Sequence, residues 1–280
     1  MSHPALASRR DAFLARLGGV PLVMGVLNVT PDSFSDGGRH YGAARAAEQT
    51  RRMIEEGAAI IDVGAESTRP GHTPLGEAQE LARIEEHLPA VMAAAGDTPA
   101  SIDTSKAAVA RRACALGACI VNDVWGLQRD PAMADVVAET GAALVAMHNR
   151  AEKDESLDIV ADMRRFFDRT LALCAKAGIP EARVILDPGV GFGKTPEQNL
   201  ACVARLPELA DYGLPFLVGM SRKSFIARLV GGDKDERLAG TLGAHFAAIE
   251  AGAAIVRAHD VRAHVEAITV YAAVRAAGRR

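Results

Sequence analysis

The sequence predicts an α/β protein of the TIM (β/α)8 barrel class with a short N-terminal helix, and three observations carry that expectation. Eight short apolar runs recur along the chain, each is followed by an Ala/Glu/Arg/Leu-rich stretch of helical spacing, and each ends in polar residues although its start is bland. Continuous apolar runs without polar alternation mark parallel strands covered on both faces. A chain of 280 residues has room for one such barrel, which takes about 250 residues.

Taken in order, MSHPALASRRDAFLARL has arginines among its apolar positions and reads as a short amphipathic helix ahead of the barrel. The strand candidates are LVMGVLN at 22–28, AAIIDV at 58–63, ASID at 100–103, ACIVND at 118–123, AALVAMH at 142–148, RVILD at 183–187, PFLVGMS at 215–221 and AAIVRAH at 253–259. Between them, segments such as ARAAEQTRRMIEEG and GEAQELARIEEHLPAVMAAAG end in glycine, as helices with a glycine stop do. We expect one domain over residues 1–280, with the barrel proper from about residue 20 onward. The competing fold is an open doubly wound sheet. Its one Gly-rich turn, GVGFGKT at 189–195, follows the sixth strand and lacks the G-x-G-x-x-G spacing.

That turn belongs to DPGVGFGKT at 187–195, which imitates a phosphate loop. The motif G-x-x-x-x-G-K-[ST] needs a glycine at position 188, where Pro188 stands. We expect Asp187 to be the working end of the stretch, with Gly189 and Gly191 turning the backbone so that Phe192 lies over the barrel mouth. Lys194 is expected at the start of the next helix, with Thr195-Pro196 as its cap and first turn.

Net charge of -3, from 32 basic and 35 acidic side chains, provides no field for a nucleic-acid backbone or an anionic membrane, so neither partner is expected. Cys114, Cys119, Cys174 and Cys202 form no C-x-x-C pair and read as buried thiols of a reduced compartment. No run approaches the ~18 apolar residues of a membrane span, and we expect a cytoplasmic protein.

In a barrel the carboxyl ends of the strands converge on one face, where active sites lie. Those ends carry Asn28, Asp62 followed by Glu66, Asp103, Asn122-Asp123, His148-Asn149, Asp187, Ser221-Arg222-Lys223, and Arg257 with His259-Asp260. About half should do structural work as helix caps or ion pairs, for which Asp62, Asp123 and Asp260 are the candidates. The basic groups of strands seven and eight suit an anion, and Asp103, Asn122 and Asp187 face them across the mouth. A ligand with two unlike ends is implied, one anionic and one offering N–H donors. The loops VTPDSFSDGGRHYG and GAESTRPGHTPLG after strands one and two are long enough to act as lids.

The stretches GVLNVTPDSFSDGG at 25–38, IIDVGAESTRPG at 60–71, SIDT at 101–104, VNDV at 121–124, LDPGVGFGKT at 186–195, GMSRKSF at 219–225 and IVRAHDV at 255–261 resemble the dihydropteroate synthase family, in order and over nearly the whole chain. The resemblance implies a folate-pathway transferase that joins p-aminobenzoate to 6-hydroxymethyl-7,8-dihydropterin diphosphate, releases diphosphate, uses Mg²⁺, works as a homodimer and is the target of sulfonamides. By motif, Asp103, Asn122 and Asp187 would hold the pterin with Lys223 and Arg257 on its far side. Asn28, Thr68, Arg69, Arg257 and His259 would handle the diphosphate, Asn28 also touching the metal. Phe34, Thr68, Pro70, Phe192, Lys223 and Ser224 would frame the p-aminobenzoate. Asp103, Lys223, Arg257 and His259 would carry the catalysis.

These roles are chemically coherent. A carboxylate can accept two adjacent N–H donors from the pterin's aminopyrimidine edge. The departing diphosphate needs cations that bind it more tightly in the transition state. The methylene cation left behind favours a nearby carboxylate, for which Asp103 is the choice. The arylamine is neutral near pH 7 and needs no strong base.

His148 and Asn149 are left out, because MHNRAE departs from the family's Met-His-x-x-Gly pattern, and Ala65 stands where the family often has glycine. Trp125 reads as packing or interface and His245 as a satisfied structural histidine. The alternatives are a non-catalytic pterin-binding homologue, a pterin-dependent methyltransferase barrel, and a lyase using Lys223 as Schiff-base nucleophile, for which nearby carboxylates would oppose the lowered pKa it needs.

Overall fold

A computed structural model describes residues 4–29, 38–66, 75–231 and 237–278 of the chain. Eight parallel strands close into a barrel in sequence order: β1 (Leu22–Asn28), β2 (Ile60–Gly64), β3 (Ala100–Asp103), β4 (Ile120–Asp123), β5 (Ala143–Met147), β6 (Val184–Asp187), β7 (Phe216–Gly219) and β8 (Ala253–Ala258), with β8 pairing back onto β1. All eight lie on the expected apolar runs. Their side chains are buried nearly throughout, as the lack of polar alternation requires.

Ten α-helices occur among the described residues: α1 (Pro4–Leu14), α2 (Gly38–Glu55), α3 (Glu77–Ala95), α4 (Ala107–Ala115), α5 (Met133–Thr140), α6 (Ile159–Ala177), α7 (Pro196–Ala204), α8 (Ser224–Val230), α9 (Leu238–Glu250) and α10 (Val261–Ala277). α1 is the extra helix. It buries Leu6, Arg10 and Phe13, spaced along one face, and Arg10 donates to the Gly141 carbonyl just ahead of β5, so α1 packs at the amino-end face of the barrel. Local sequence sets the helix ends. Asp158 caps α6 by accepting from Ala161 N–H at 2.9 Å, and α5 and α6 stop at Gly141 and Gly178 in left-handed conformation.

Strand register sets what reaches the mouth. Asn28 is level with Gly64, Gly64 with Asp103, and Asp103 with Asn122, so these four stand abreast at the carboxyl ends of β1 to β4. Asp62 is level with Val26 and Ser101, one inward-facing layer lower. Gly25 marks the opposite parity: a Cβ there would lie 2.8 Å from Met53 Sδ of α2, so Gly25 faces the helices while Met24, Val26 and Asn28 face inward. The barrel is therefore filled with apolar side chains below and lined with polar ones above.

Candidate active site

The interior end of the mouth holds a charged network. Arg257 donates through Nε to Asp62 Oδ2 at 2.6 Å and through Nη2 to Asp103 Oδ2 at 2.9 Å, and Asn122 Nδ2 donates to Asp62 Oδ2 at 3.2 Å. Asp62 is fully buried and Asp103 nearly so. A buried ion pair contributes little net stability, because desolvation offsets the attraction; its presence inside a barrel points to use. Asp62 Oδ1, Asp103 Oδ1 and Ser101 Oγ are buried without a hydrogen-bond partner among the described residues. Such groups are costly unless something else satisfies them.

Burial pushes Asp103 up to about 7, against the pull of Arg257 and with the help of Asp62. Burial likewise raises Asp187, which Lys223 opposes. For Arg257 burial works against the charge, and Asp62 and Asp103 more than offset it, so its proton is held more tightly than usual.

Asp62, expected to be structural, is ion-paired with Arg257 and accepts from Asn122. Asp123 and Asp260 fit structural work: Asp123 accepts from Trp125 and Leu127 N–H at 2.9 and 2.7 Å, and Asp260 pairs with Arg222 at 2.9 Å.

The DPGVGFGKT stretch forms the wall beside β6. Asp187 Oδ1 accepts from Gly189 N–H at 2.7 Å, and Gly189, Gly191 and Gly193 all have positive φ. Gly189 has no room for a side chain, since a Cβ would stand 1.9 Å from the His148 carbonyl oxygen. Gly189→Ala should therefore displace the loop and destabilise the protein by about 3 kcal/mol or more, read as a lower denaturant midpoint.

Thr195 caps α7 through a capping box with Gln198, as expected. Lys194 departs from expectation. It is 2% exposed, and its Nζ donates to the carbonyls of Gly189 at 2.7 Å, Phe192 at 3.1 Å and His148 at 3.3 Å. The glycine turns aim these carbonyls inward, where a donor has to meet them. Burial lowers Lys194 to about 8.

Lys223 is half-buried at the next strand end. Its Nζ donates to the Val190 carbonyl and lies 4.8 Å from the Phe192 ring centroid, which brings β6 and β7 groups together over the mouth. Burial brings Lys223 down to about 8, outweighing Asp187, whereas the sequence reading had the carboxylates holding it up. Ser224, the first residue of α8, is exposed. His259 Nδ1 lies 3.0 Å from Ser221 Oγ. The His148 ring is bonded to Asp162 at 3.2 Å and lies edge-on to Phe166, and burial lowers it to about 4. Phe34, Thr68, Arg69 and Pro70, and with them most of both long loops, lie outside the described residues.

Mg²⁺ takes oxygen ligands and keeps waters and substrate phosphates in its shell. Among the described residues no three His, Cys, Asp or Glu side chains gather as a metal cage. Asn28 at the end of β1 offers one amide oxygen, which suits a Mg²⁺ that takes the rest of its shell from water or a bound anion.

A closed barrel whose mouth sets buried carboxylates and an Asn against a cationic corner offers a small ligand hydrogen-bond acceptors at one end and positive charge at the other. The pattern of the family described as pterin binding enzyme matches residues 24–259. The dihydropteroate synthase of Bacillus subtilis (strain 168) is 43% identical over 241 residues, covering 86% of this chain and 84% of that protein. Among solved structures, Xanthomonas albilineans dihydropteroate synthase with 4-aminobenzoic acid is 42% identical with a TM-score of 0.87, covering 92% of this chain and 94% of that one. The same enzyme in complex with 7,8-dihydropteroate superimposes with a TM-score of 0.84 at 40% identity, covering 92% and 95%. The chain belongs to the pterin binding enzymes and, within them, to the dihydropteroate synthase family.

Proposed function

We propose that this mouth joins 6-hydroxymethyl-7,8-dihydropterin diphosphate to p-aminobenzoate, giving 7,8-dihydropteroate and diphosphate, a transferase step of folate biosynthesis. The observation that carries the reading is the set of buried oxygens on β2 and β3, without partners among the described residues, beside Arg257. Such oxygens suit a flat ring with several N–H donors better than a purely apolar ligand. The 4-aminobenzoic acid and 7,8-dihydropteroate bound by the Xanthomonas albilineans relative support the same substrates here.

In this reading Asp187 and Asn122 take the pterin's donor edge and Asp103 lies beside the ring, with Arg257 and Lys223 on the other side. Arg257 and His259, with Thr68 and Arg69 from the second loop, receive the charge that develops on the leaving diphosphate, and Asn28 would hold Mg²⁺. The metal supplies charge neutralisation on the phosphate oxygens. Asp103, kept from water, favours the positive charge left on the pterin methylene. Phe192, Lys223 and Ser224, with Phe34, Thr68 and Pro70, hold the arylamine for attack. The Lys223 Nζ donates to Val190 and rests on Phe192, two contacts that would have to break before it could attack a carbonyl as a Schiff-base nucleophile.

We also read residues 1–280 as one domain of a cytoplasmic homodimer. Leu229, Val230, Val270 and Val274, exposed on α8 and α10, are compatible with a subunit contact, and no helix among the described residues is long and apolar enough to cross a membrane.

Calorimetry with 6-hydroxymethylpterin tests the pterin assignment. Asn122→Ala should weaken binding about 10-fold or more, the equivalent of one or two buried hydrogen bonds. Undiminished affinity in the variant would remove Asn122 from the pocket, and no binding by the wild type would remove the pterin.

A further inference from the structure

Behind the cationic corner, two histidines outside the proposed chemistry link two stretches of backbone. Met220 N–H donates to His245 Nε2 at 3.0 Å, His245 Nδ1 lies 2.8 Å from His264 Nε2, and His264 Nδ1 lies 2.7 Å from the Asp260 carbonyl oxygen. Both rings are buried, at 2% and 1% exposure. The ends fix the direction of the chain, since a backbone N–H can only donate and a carbonyl can only accept. One arrangement satisfies all three bonds: each ring carries its hydrogen on Nδ1 and leaves Nε2 as an acceptor. A second proton on either ring would set N–H against N–H, and burial holds both rings below the usual histidine range.

What this chain braces is a strained turn. Lys223 N–H closes onto the Met220 carbonyl at 3.2 Å, and the third residue, Arg222, has φ +60°, a left-handed conformation that glycine adopts freely and arginine does not. The turn carries Ser221, Arg222 and Lys223. On the other side, Asp260 is held twice, by His264 on its carbonyl and by Arg222 on its carboxylate, and His259 N–H and Nδ1 meet Ser221 Oγ at 3.2 and 3.0 Å. The end of β7 and the joint between β8 and α10 are thus fastened together, and α9 and α10 supply the fastener.

We propose that His245 and His264 are positioning residues for the anionic end of the site: as a neutral pair, each protonated on Nδ1, they hold the strained Met220–Lys223 turn against the start of α10 and, through Ser221, fix where His259 meets the diphosphate. The inference rests on the reading of this corner as the diphosphate end.

His245→Phe keeps the ring volume and removes both of its hydrogen bonds. In calorimetry with Mg²⁺, its affinity for inorganic diphosphate should fall about 10-fold or more, because small misplacements of charged groups are costly. The kcat/KM for the pterin diphosphate should fall by a similar factor, and affinity for 6-hydroxymethylpterin, which lacks the anionic end, should change less than about twofold. His245→Gln, which retains an acceptor and a donor, should recover part of the loss. Equal losses for both ligands, or none for either, would overturn the positioning role. Wild-type protein that bound no diphosphate would overturn the reading of the corner and the proposal with it. The pairing itself is open to ¹⁵N NMR of histidine-labelled wild type, whatever the variants' stability: both rings should be Nδ1–H tautomers coupled across the Nδ1–H···Nε2 bond, and an Nε2–H tautomer in either ring would contradict it.

Discussion

Asp103→Asn is expected to cut turnover by about 10²–10³, the scale of removing one preorganised electrostatic group from a transition state, while weakening pterin binding about 10-fold or less. The amide keeps the size of the carboxyl group and an acceptor, so it still meets the pterin and Arg257 still finds an oxygen. It lacks the negative charge that the methylene cation needs. Single-turnover rates measured beside pterin affinity separate the two effects, and equal losses in both would assign Asp103 to binding alone.

The same residue gives a pH dependence with a definite sign. Burial puts Asp103 at about 7 in the free protein. The pterin's N–H donors favour the carboxylate over the acid, so binding lowers that pKa and releases the proton. Affinity is then complete above pH 7 and declines as pH falls, approaching about tenfold per unit. In Asp103→Asn the slope should flatten, and a wild-type affinity independent of pH between 6 and 8 would contradict the linkage.

Arg257→Met should be the most damaging single change to the fold as well as to the reaction. It leaves Asp62 and Asp103 buried without the cation that both share, a loss that costs about 3–5 kcal/mol when a buried pair is broken. The sign with pH is opposite to ordinary acid denaturation. With its countercharge gone, Asp103 binds a proton more readily in the folded state than in the unfolded one, so lowering pH from 8 to 6 should return part of the lost stability. Denaturant unfolding at the two pH values reads this directly. A variant as stable as wild type at pH 8 would mean the network is not the buried ion cluster described.

The barrel was legible because its strands are buried on both faces. Even the four residues of β3, ASID, announce themselves by an apolar run ending in Asp103. The mouth was legible from strand ends alone, and register brings Asn28, Asp103 and Asn122 abreast as those ends implied. The ion pair of Asp62 was not, because it depends on Arg257 reaching across the barrel from β8, a pairing of residues 195 positions apart. A signal was present all the same: an Asp within the apolar run AAIIDV, two residues before the strand end, must be paired if both faces are covered.

Lys194 was misplaced because its surroundings follow from three glycine conformations that turn carbonyls inward, and spacing does not report them. His245 was read correctly as a satisfied histidine, but its partner is His264 on another helix. That pairing arises from the packing of α9 and α10 and has no sequence period.

The most direct test of the assignment is product formation. Purified protein is incubated with 6-hydroxymethyl-7,8-dihydropterin diphosphate, p-aminobenzoate and Mg²⁺, and dihydropteroate and diphosphate are followed together. The expected result is stoichiometric formation of both, dependent on the arylamine and abolished by Arg257→Met. Absence of dihydropteroate from wild-type protein that binds the pterin would contradict it.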